Sequence, residues 1–362
     1  MRLLLLTILI AGQPLYAEHP YETVGRRFTF LPLFGFSSED GPGGGFRLSQ
    51  FDYDGESVPY ERALTAQGFL TTKGKWAHEV SADFPHIGRD RRLEIDLRYD
   101  KEENANYFAD LTDTDLAPYT NDERTFEQID VYLTARLIKP LHDPWRYQIR
   151  MRVGSTNITP HTRRNVIDTI APLGYKGGYL FQLGASLRYD TRDDYTNATK
   201  GRLEEIGVEW GVGGGGNFNG GGIIFQHRHF AELMPRVVFA QRFDLVYGIG
   251  DKPFYERPKL GSSKTLRGLS ADRFRDESRV LINTELRWLG MPVSKERHLF
   301  LGLNLFGDLG QVFPSDQFPS AGDWQFGSGL GLRIYWYSMV ARADYGRSRG
   351  GSALYMRFSQ IF

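Results

Sequence analysis

The chain reads as an all-β protein: a 16-stranded antiparallel transmembrane β-barrel. Three observations point there. Segments of about ten residues alternate between an apolar face and a polar or glycine face, the period-two signature of strands. Many of these segments exceed the usual length of globular strands and carry charges at mid-strand on the polar face. The connections alternate in length, long after odd strands and mostly short after even ones, as outer-membrane barrels require.

Composition narrows the function classes. The 362 residues balance 44 Lys+Arg against 44 Asp+Glu, which argues against a nucleic-acid partner. Cysteine is absent, so disulfides, thiolate metal sites and a Cys nucleophile are excluded. Met1 to Ala17 reads as a signal peptide, with Arg2 as the positive end, Leu3 to Ala11 as the apolar core and Leu15-Tyr16-Ala17 before the cut. That core is too short for a spanning helix, which needs roughly twenty residues. Residues 18–26 are expected as a short periplasmic segment, too short for a domain of its own, and residues 27–362 as the barrel.

In order, strands are expected near 27–36, 43–53, 61–72, 75–84, 91–100, 126–138, 145–154, 178–190, 202–212, 222–233, 236–248, 279–289, 298–310, 324–336, 339–346 and 352–362. In the fifth, Leu93, Ile95, Leu97 and Tyr99 oppose Arg92, Glu94, Asp96 and Arg98. In the sixth, Ile129, Val131, Leu133 and Leu137 oppose Gln128, Asp130, Thr134 and Arg136. In the fourteenth, Leu330, Leu332, Ile334 and Trp336 oppose Gly327, Gly329, Gly331 and Arg333. Apolar faces turned outward make outer-membrane lipid the first partner, and polar faces line the interior. The sheet must close, because an open edge in hydrocarbon leaves backbone groups unsatisfied at several kcal/mol each. An even strand count puts both termini on the short-turn, periplasmic side.

Between the eleventh and twelfth strands lies a long polar segment, Gly250 to Glu277, with Leu266-Arg267-Gly268-Leu269 near its middle. A connection of that length is usually functional or disordered. Glu285 and Asp308 fall on the polar faces of the two strands that follow, and Arg267 has the planar fork to satisfy both. At the end of the chain, Leu354, Met356, Phe358 and Phe362 fall on one face, broken by Gln360.

Several patterns, taken in order, resemble the outer-membrane assembly and translocation superfamily that includes BamA, TamA and FhaC, the bacterial surface antigen barrels. They are Leu266-Arg267-Gly268-Leu269 in the long loop, Asn283-Thr284-Glu285-Leu286-Arg287, Phe306-Gly307-Asp308-Leu309-Gly310 and Gly329-Leu330-Gly331-Leu332-Arg333. Tyr189 to Asp193 with Lys200-Gly201 resembles a periplasmic turn, and Pro32 to Gly45 an opening hairpin. Leu269 departs from the usual aromatic, and Gly261-Ser262 from a double glycine.

The resemblance implies a member lacking periplasmic POTRA repeats, located in the outer membrane of a Gram-negative bacterium. It implies insertion or translocation of protein (or lipid), without a cofactor, metal or catalytic residue. It also implies a lumen latch built from Arg267, Gly268, Glu285, Phe306, Asp308, Gly310 and Arg333. Phe358 and Phe362 resemble the C-terminal assembly signal, which makes the barrel assembly machinery a partner during biogenesis. A periplasmic or POTRA-bearing partner would supply recognition of unfolded chains.

Two other readings stay open. One is a passive outer-membrane channel or structural barrel; the other is an outer-membrane lipid hydrolase, although no spacing of Ser, His and acid residues singles out a catalytic set. His227 and His229 share a face of the tenth strand, but no third ligand accompanies them.

Overall fold

A computed structural model describes residues 24–57, 59–88, 90–108, 111, 113–214, 218–294, 299–336, 339–358 and 360–362. The expected signal peptide and most of the segment after it lie outside the described residues, as does part of the glycine run near 215. All sixteen expected strands form. They are β1 (Val24–Ser37), β2 (Gly41–Asp54), β3 (Arg62–Thr71), β4 (Lys75–Ile87), β5 (Arg91–Asn106), β6 (Thr125–His142), β7 (Trp145–Pro160) and β8 (Gly177–Asp190). There follow β9 (Gly201–Gly213), β10 (Phe218–Met234), β11 (Val237–Asp251), β14 (Ser278–Ser294), β15 (Leu299–Phe313), β16 (Gln325–Trp336), β17 (Met339–Ser348) and β18 (Gly351–Phe358). The two numbers between, β12 (Lys259–Leu260) and β13 (Phe274–Arg275), form a small ribbon inside the long loop.

Each barrel strand pairs antiparallel with its sequence neighbours, and β1 meets β18 to close the ring. The outward faces carry apolar side chains such as Leu97, Ile149, Ile206, Leu303 and Leu330, all exposed and therefore facing lipid. Among the described residues no helix is long and apolar enough to cross a membrane.

The structure departs from expectation at both ends of the barrel. Strands β5 and β7 run six residues further on the long-loop side, to Asn106 and Pro160. Those extensions are polar, so their alternation does not show in the sequence. The rim beyond them is capped by a cluster of Tyr107, Phe126, Ile158, Ile167, Phe254 and Tyr255, which seats the stem of the long loop. At the other end of the barrel, β18 stops at Phe358 rather than running to Phe362. The last residues turn into the lumen, so Phe362 does not share the lipid face of Leu354, Met356 and Phe358.

The ring is unevenly joined. β1 and β2 are matched at fourteen positions, from Val24↔Asp54 to Ser37↔Gly41. β1 and β18 are matched at two, Phe36↔Met356 and Ser37↔Tyr355. Just above them Ser38 and Leu354 exchange two hydrogen bonds, Ser38 N donating to Leu354 O (3.1 Å) and Leu354 N to Ser38 Oγ (3.0 Å). Among the described residues, the β1 edge from Val24 to Gly35 has no partner in β18.

Candidate functional site: a buried charge cluster beneath the long loop

The loop leaves β11 through a short 3-10 turn, Phe254–Glu256, whose two aromatics lock into the rim cluster. Arg152 of β7 grips Glu256 through both guanidinium nitrogens at 2.8 and 2.9 Å. After the β12–β13 ribbon narrows it, the tip drops onto the lumenal wall of β14–β17. Leu260, Leu266 and Leu269 bury themselves there with Leu281.

Close approach depends on glycine. At Gly268 φ is +92°, and an added Cβ would lie 2.7 Å from the backbone of Arg347, so any side chain would push the tip off the wall. Gly310 sits under Leu260, where a Cβ would meet the leucine methyl at 3.0 Å.

Arg267 is completely buried between the acids on the wall. Its Nε and Nη2 donate to Asp308 Oδ2 and Oδ1 at 2.8 and 2.9 Å, and its backbone N–H donates to Asp308 Oδ2 at 3.0 Å. Nη1 donates to Glu285 Oε1 at 2.7 Å and to Asp344 Oδ2 at 3.4 Å. The Phe306 ring lies beneath the guanidinium, 3.4 Å from centroid to Cζ, close enough for a cation–π contact. Such fork-on-carboxylate geometry is among the stronger hydrogen-bonding arrangements available to a protein. Burial alone would lower the Arg267 pKa, but the charges of Asp308 and Glu285 outweigh it and the group is held well above its ordinary value.

The cluster is larger than the sequence indicates. Glu285 also binds Arg287, Nε to Oε2 at 2.8 Å, and accepts from Asn304 at 3.0 Å. Asp344 binds Arg333 at 2.5 Å and Arg342 at 2.7 Å. Asn283 donates to Asp308 at 2.7 Å. Three carboxylates thus face four guanidinium groups, all nearly or wholly out of solvent. Buried charges are tolerated when paired and hydrogen-bonded in this way. Asp344, Arg287 and Arg342 escape the sequence reading. Their one signal is spacing: Glu285 with Arg287, and Arg342 with Asp344, lie two apart and so share the lumenal face of a strand.

The inturned tail reaches the same cluster. Gln360 accepts from Arg333 Nε at 3.1 Å and donates to Asn197 of the β8–β9 turn at 3.0 Å. The Phe362 ring packs with Ala198, Phe230 and Ala240, and has Arg287 4.9 Å and Arg242 5.4 Å from its centroid. Arg287 Nη2 donates to its carbonyl at 3.3 Å. The tail thus supplies acceptors to Arg333 Nε and Arg287 Nη2, which gives a physical reason for drawing its polar atoms inward. Phe358 remains on the outer face.

Loop and seam are also joined. Tyr355 of β18 accepts from Gly268 N and donates to Leu269 O, both at 3.3 Å, and Ser348 of β17 donates to Gly268 O at 2.8 Å. Elsewhere, His227 and His229 stack on the outer face near the short-turn rim, with Glu204 3.5 Å from His227. Among the described residues no group of three or more His, Cys, Asp or Glu could hold a metal ion.

No protein of curated function matches the chain by sequence. Its fold is similar to BamA from Haemophilus ducreyi lacking POTRA domains 1-3, at 15% identity and a TM-score of 0.65, over 92% of this chain and 70% of that one. It is also similar to CdiB from Escherichia coli, at 10% identity and a TM-score of 0.62, over 95% of this chain. For CdiB from Acinetobacter baumannii the values are 12% and 0.58, over 92% of this chain. The chain spans 63% and 59% of the lengths of those two CdiB chains, and at such identities the likeness is one of fold. The Omp85 superfamily domain matches residues 84–347, which takes in β5 through β17 and the whole of the long loop. The chain is an outer-membrane β-barrel and belongs to the Omp85 superfamily, whose barrels are associated with protein transport and assembly.

Proposed function

We propose that this barrel inserts or translocates polypeptide (or lipid) at the outer membrane through the seam between β1 and β18, with the Arg267 loop as its latch. The observation that carries the reading is the two-position seam. An unpaired strand edge in hydrocarbon leaves backbone donors and acceptors unsatisfied, and it offers a ladder that an incoming strand completes. The latch bears on this seam, because the loop tip holds β17 and β18 through Ser348 and Tyr355. Loosening Arg267 frees that wall to move. The energy comes from strand pairing and lipid partition, and no catalytic residue or cofactor takes part.

Residues 1–17 act as the cleaved signal. Phe358 and Phe362 serve the assembly machinery during biogenesis, before the tail settles in the lumen. A periplasmic partner, POTRA-bearing or otherwise, delivers chains to the free part of the β1 edge. A passive channel is the weaker reading, because loop and tail both occupy the lumen.

The test uses a chain without native cysteine. Phe36→Cys combined with Met356→Cys places two thiols on directly opposed strand positions, a spacing a disulfide spans. Vesicles holding the reduced pair should speed the folding of a urea-denatured outer-membrane barrel, and oxidation should abolish that effect reversibly. Equal acceleration in both redox states would rule out the seam.

A further inference from the structure

The lipid-facing wall carries an arrangement that neither latch nor seam uses. Gln241, Thr284, Gly307 and Ser328 lie directly opposite one another on β11, β14, β15 and β16. All four positions point outward, because Ala240, Arg242, Asn283, Glu285, Phe306 and Asp308 beside them are buried on the lumenal side. The rows above and below are apolar: Leu286, Leu305 and Leu330 on one side, Ile282, Leu309 and Phe326 on the other. Between them lies a shallow, open depression, with Thr284, Gly307 and Ser328 in its floor and Leu286, Leu305 and Leu330 along one side.

The row continues at both ends. Beyond Ser328 comes Arg347 of β17; beyond Gln241 come His229 of β10 and Arg202 of β9. Barrel strands tilt by about 35–45°, so a row perpendicular to them climbs obliquely through the bilayer. Arg202 is the second residue of β9, at the short-turn end, and Arg347 the last but one of β17, at the long-loop end. The stripe therefore starts in one headgroup region and finishes in the other, with a guanidinium at each end.

A lipid-facing barrel wall has no structural need of such a line. The side chains of Gln241, Thr284 and Ser328 have no hydrogen-bond partner among the described residues. Unpaired polar groups in hydrocarbon are unfavourable, and where they persist they mark a path for something polar. We propose that the stripe is a lipid track along which phospholipid headgroups pass between the two leaflets. The arginines gather the phosphate at either surface. The amide and hydroxyls replace its lost water in transit, and Gly307 leaves room for the headgroup while the acyl chains stay in the bilayer. The movement is downhill equilibration and involves no bond-making. It requires neither the Arg267 latch nor an open seam.

The test is albumin back-extraction of a fluorescent short-chain phosphatidylcholine from phosphatidylcholine/phosphatidylglycerol vesicles containing the full chain. Albumin is too large for the lumen, so a leaky pore cannot mimic exchange. The extractable fraction should rise from about half, as in protein-free vesicles, to nearly all. Gly307→Leu with Thr284→Val should slow this at least about tenfold by filling and de-polarising the depression. Folding should survive, because a Cβ at Gly307 meets only a Phe326 ring carbon at 3.8 Å. An unchanged heat-modifiable gel shift checks this, and Gln241→Leu with Ser328→Ala serves if it fails. Oxidised Phe36→Cys/Met356→Cys barrels should exchange lipid at the full rate. No exchange by the wild type, an undiminished rate with the depression filled, or loss of exchange on locking the seam would each overturn the proposal.

Discussion

Two halves of the lumenal wall use the same residue types and reach different results. Beneath the loop, on β14–β17, Arg267, Glu285, Asp308 and Asp344 are 0% exposed and share their bonds among several partners. On β3–β5, Arg98 reaches Glu79 at 2.8 Å, yet its side chain is 55% exposed, and Arg92 reaches Asp83 at 2.7 Å with 42% exposed. The distances alone would not distinguish them. Water does: exposed pairs contribute about 1 kcal/mol or less, whereas losing one member of a buried pair costs about 3–5 kcal/mol. A barrel can therefore line its whole interior with charge and still concentrate the stabilising contacts under one loop.

The sharpest way to break that contrast is Arg267→Ala, which strands Asp308 and Glu285 without their shared cation. The unfolding midpoint in detergent, read from the heat-modifiable gel shift, should fall by the equivalent of about 3–5 kcal/mol. It should fall clearly further than in Arg273→Ala, whose guanidinium lies beside the Phe108 and Phe274 rings in the same loop. Equal midpoints would dissolve the distinction between the two walls. Single-channel conductance should rise in Arg267→Ala as the tip leaves the lumen.

An intermediate effect belongs to Tyr355→Phe. It removes a hydroxyl bonded to Gly268 N and Leu269 O, for about 1–3 kcal/mol, and the loop–seam link with it. Protease nicking within Lys252–Glu277 should speed up, while the Arg267 contacts persist. Least affected should be Arg98→Ala, within about 1 kcal/mol of wild type.

Acidity gives a finer probe of the loop edge. Glu39 lies in the β1–β2 turn, and burial, followed by the charge of Asp40, pushes its carboxyl up from 4.5 to about 7, against the lowering pull of the Ala271 backbone and Lys75. Glu102 and Tyr355 face the same space. A raised folded value means that the folded state holds the proton more tightly. Its contribution is complete below pH 4.5 and is lost as pH climbs through 7. The midpoint should decline across that window in the wild type, and Glu39→Gln should flatten this part of the profile.

Much of this was legible before any coordinates. Alternation gave all sixteen strands, because each face meets one environment along its whole length. Arg267, Glu285 and Asp308 were legible as a group because each stands on an expected face or in the one long loop. Asp344 was not, since its partnership with Arg267 spans 77 positions and arises only when the sheet curls shut. The inturned tail was hidden for a related reason. Alternation from Leu354 to Phe362 continues almost unbroken, and the donors that hold Gln360 and Phe362 inward, Arg333 Nε and Arg287 Nη2, are set by other strands of the wall.

That inward turn leaves a zipper stopped partway. Continuing the Phe36↔Met356 register along both strands would set Phe358 beside Phe34 and Phe362 beside Phe30. Phe362, now tucked into the lumen, is thus a residue that would lengthen the closure of the ring. One short stretch of chain cannot occupy both places, so a ring closed further by the tail would be one whose inner cluster had given up the partner it borrowed.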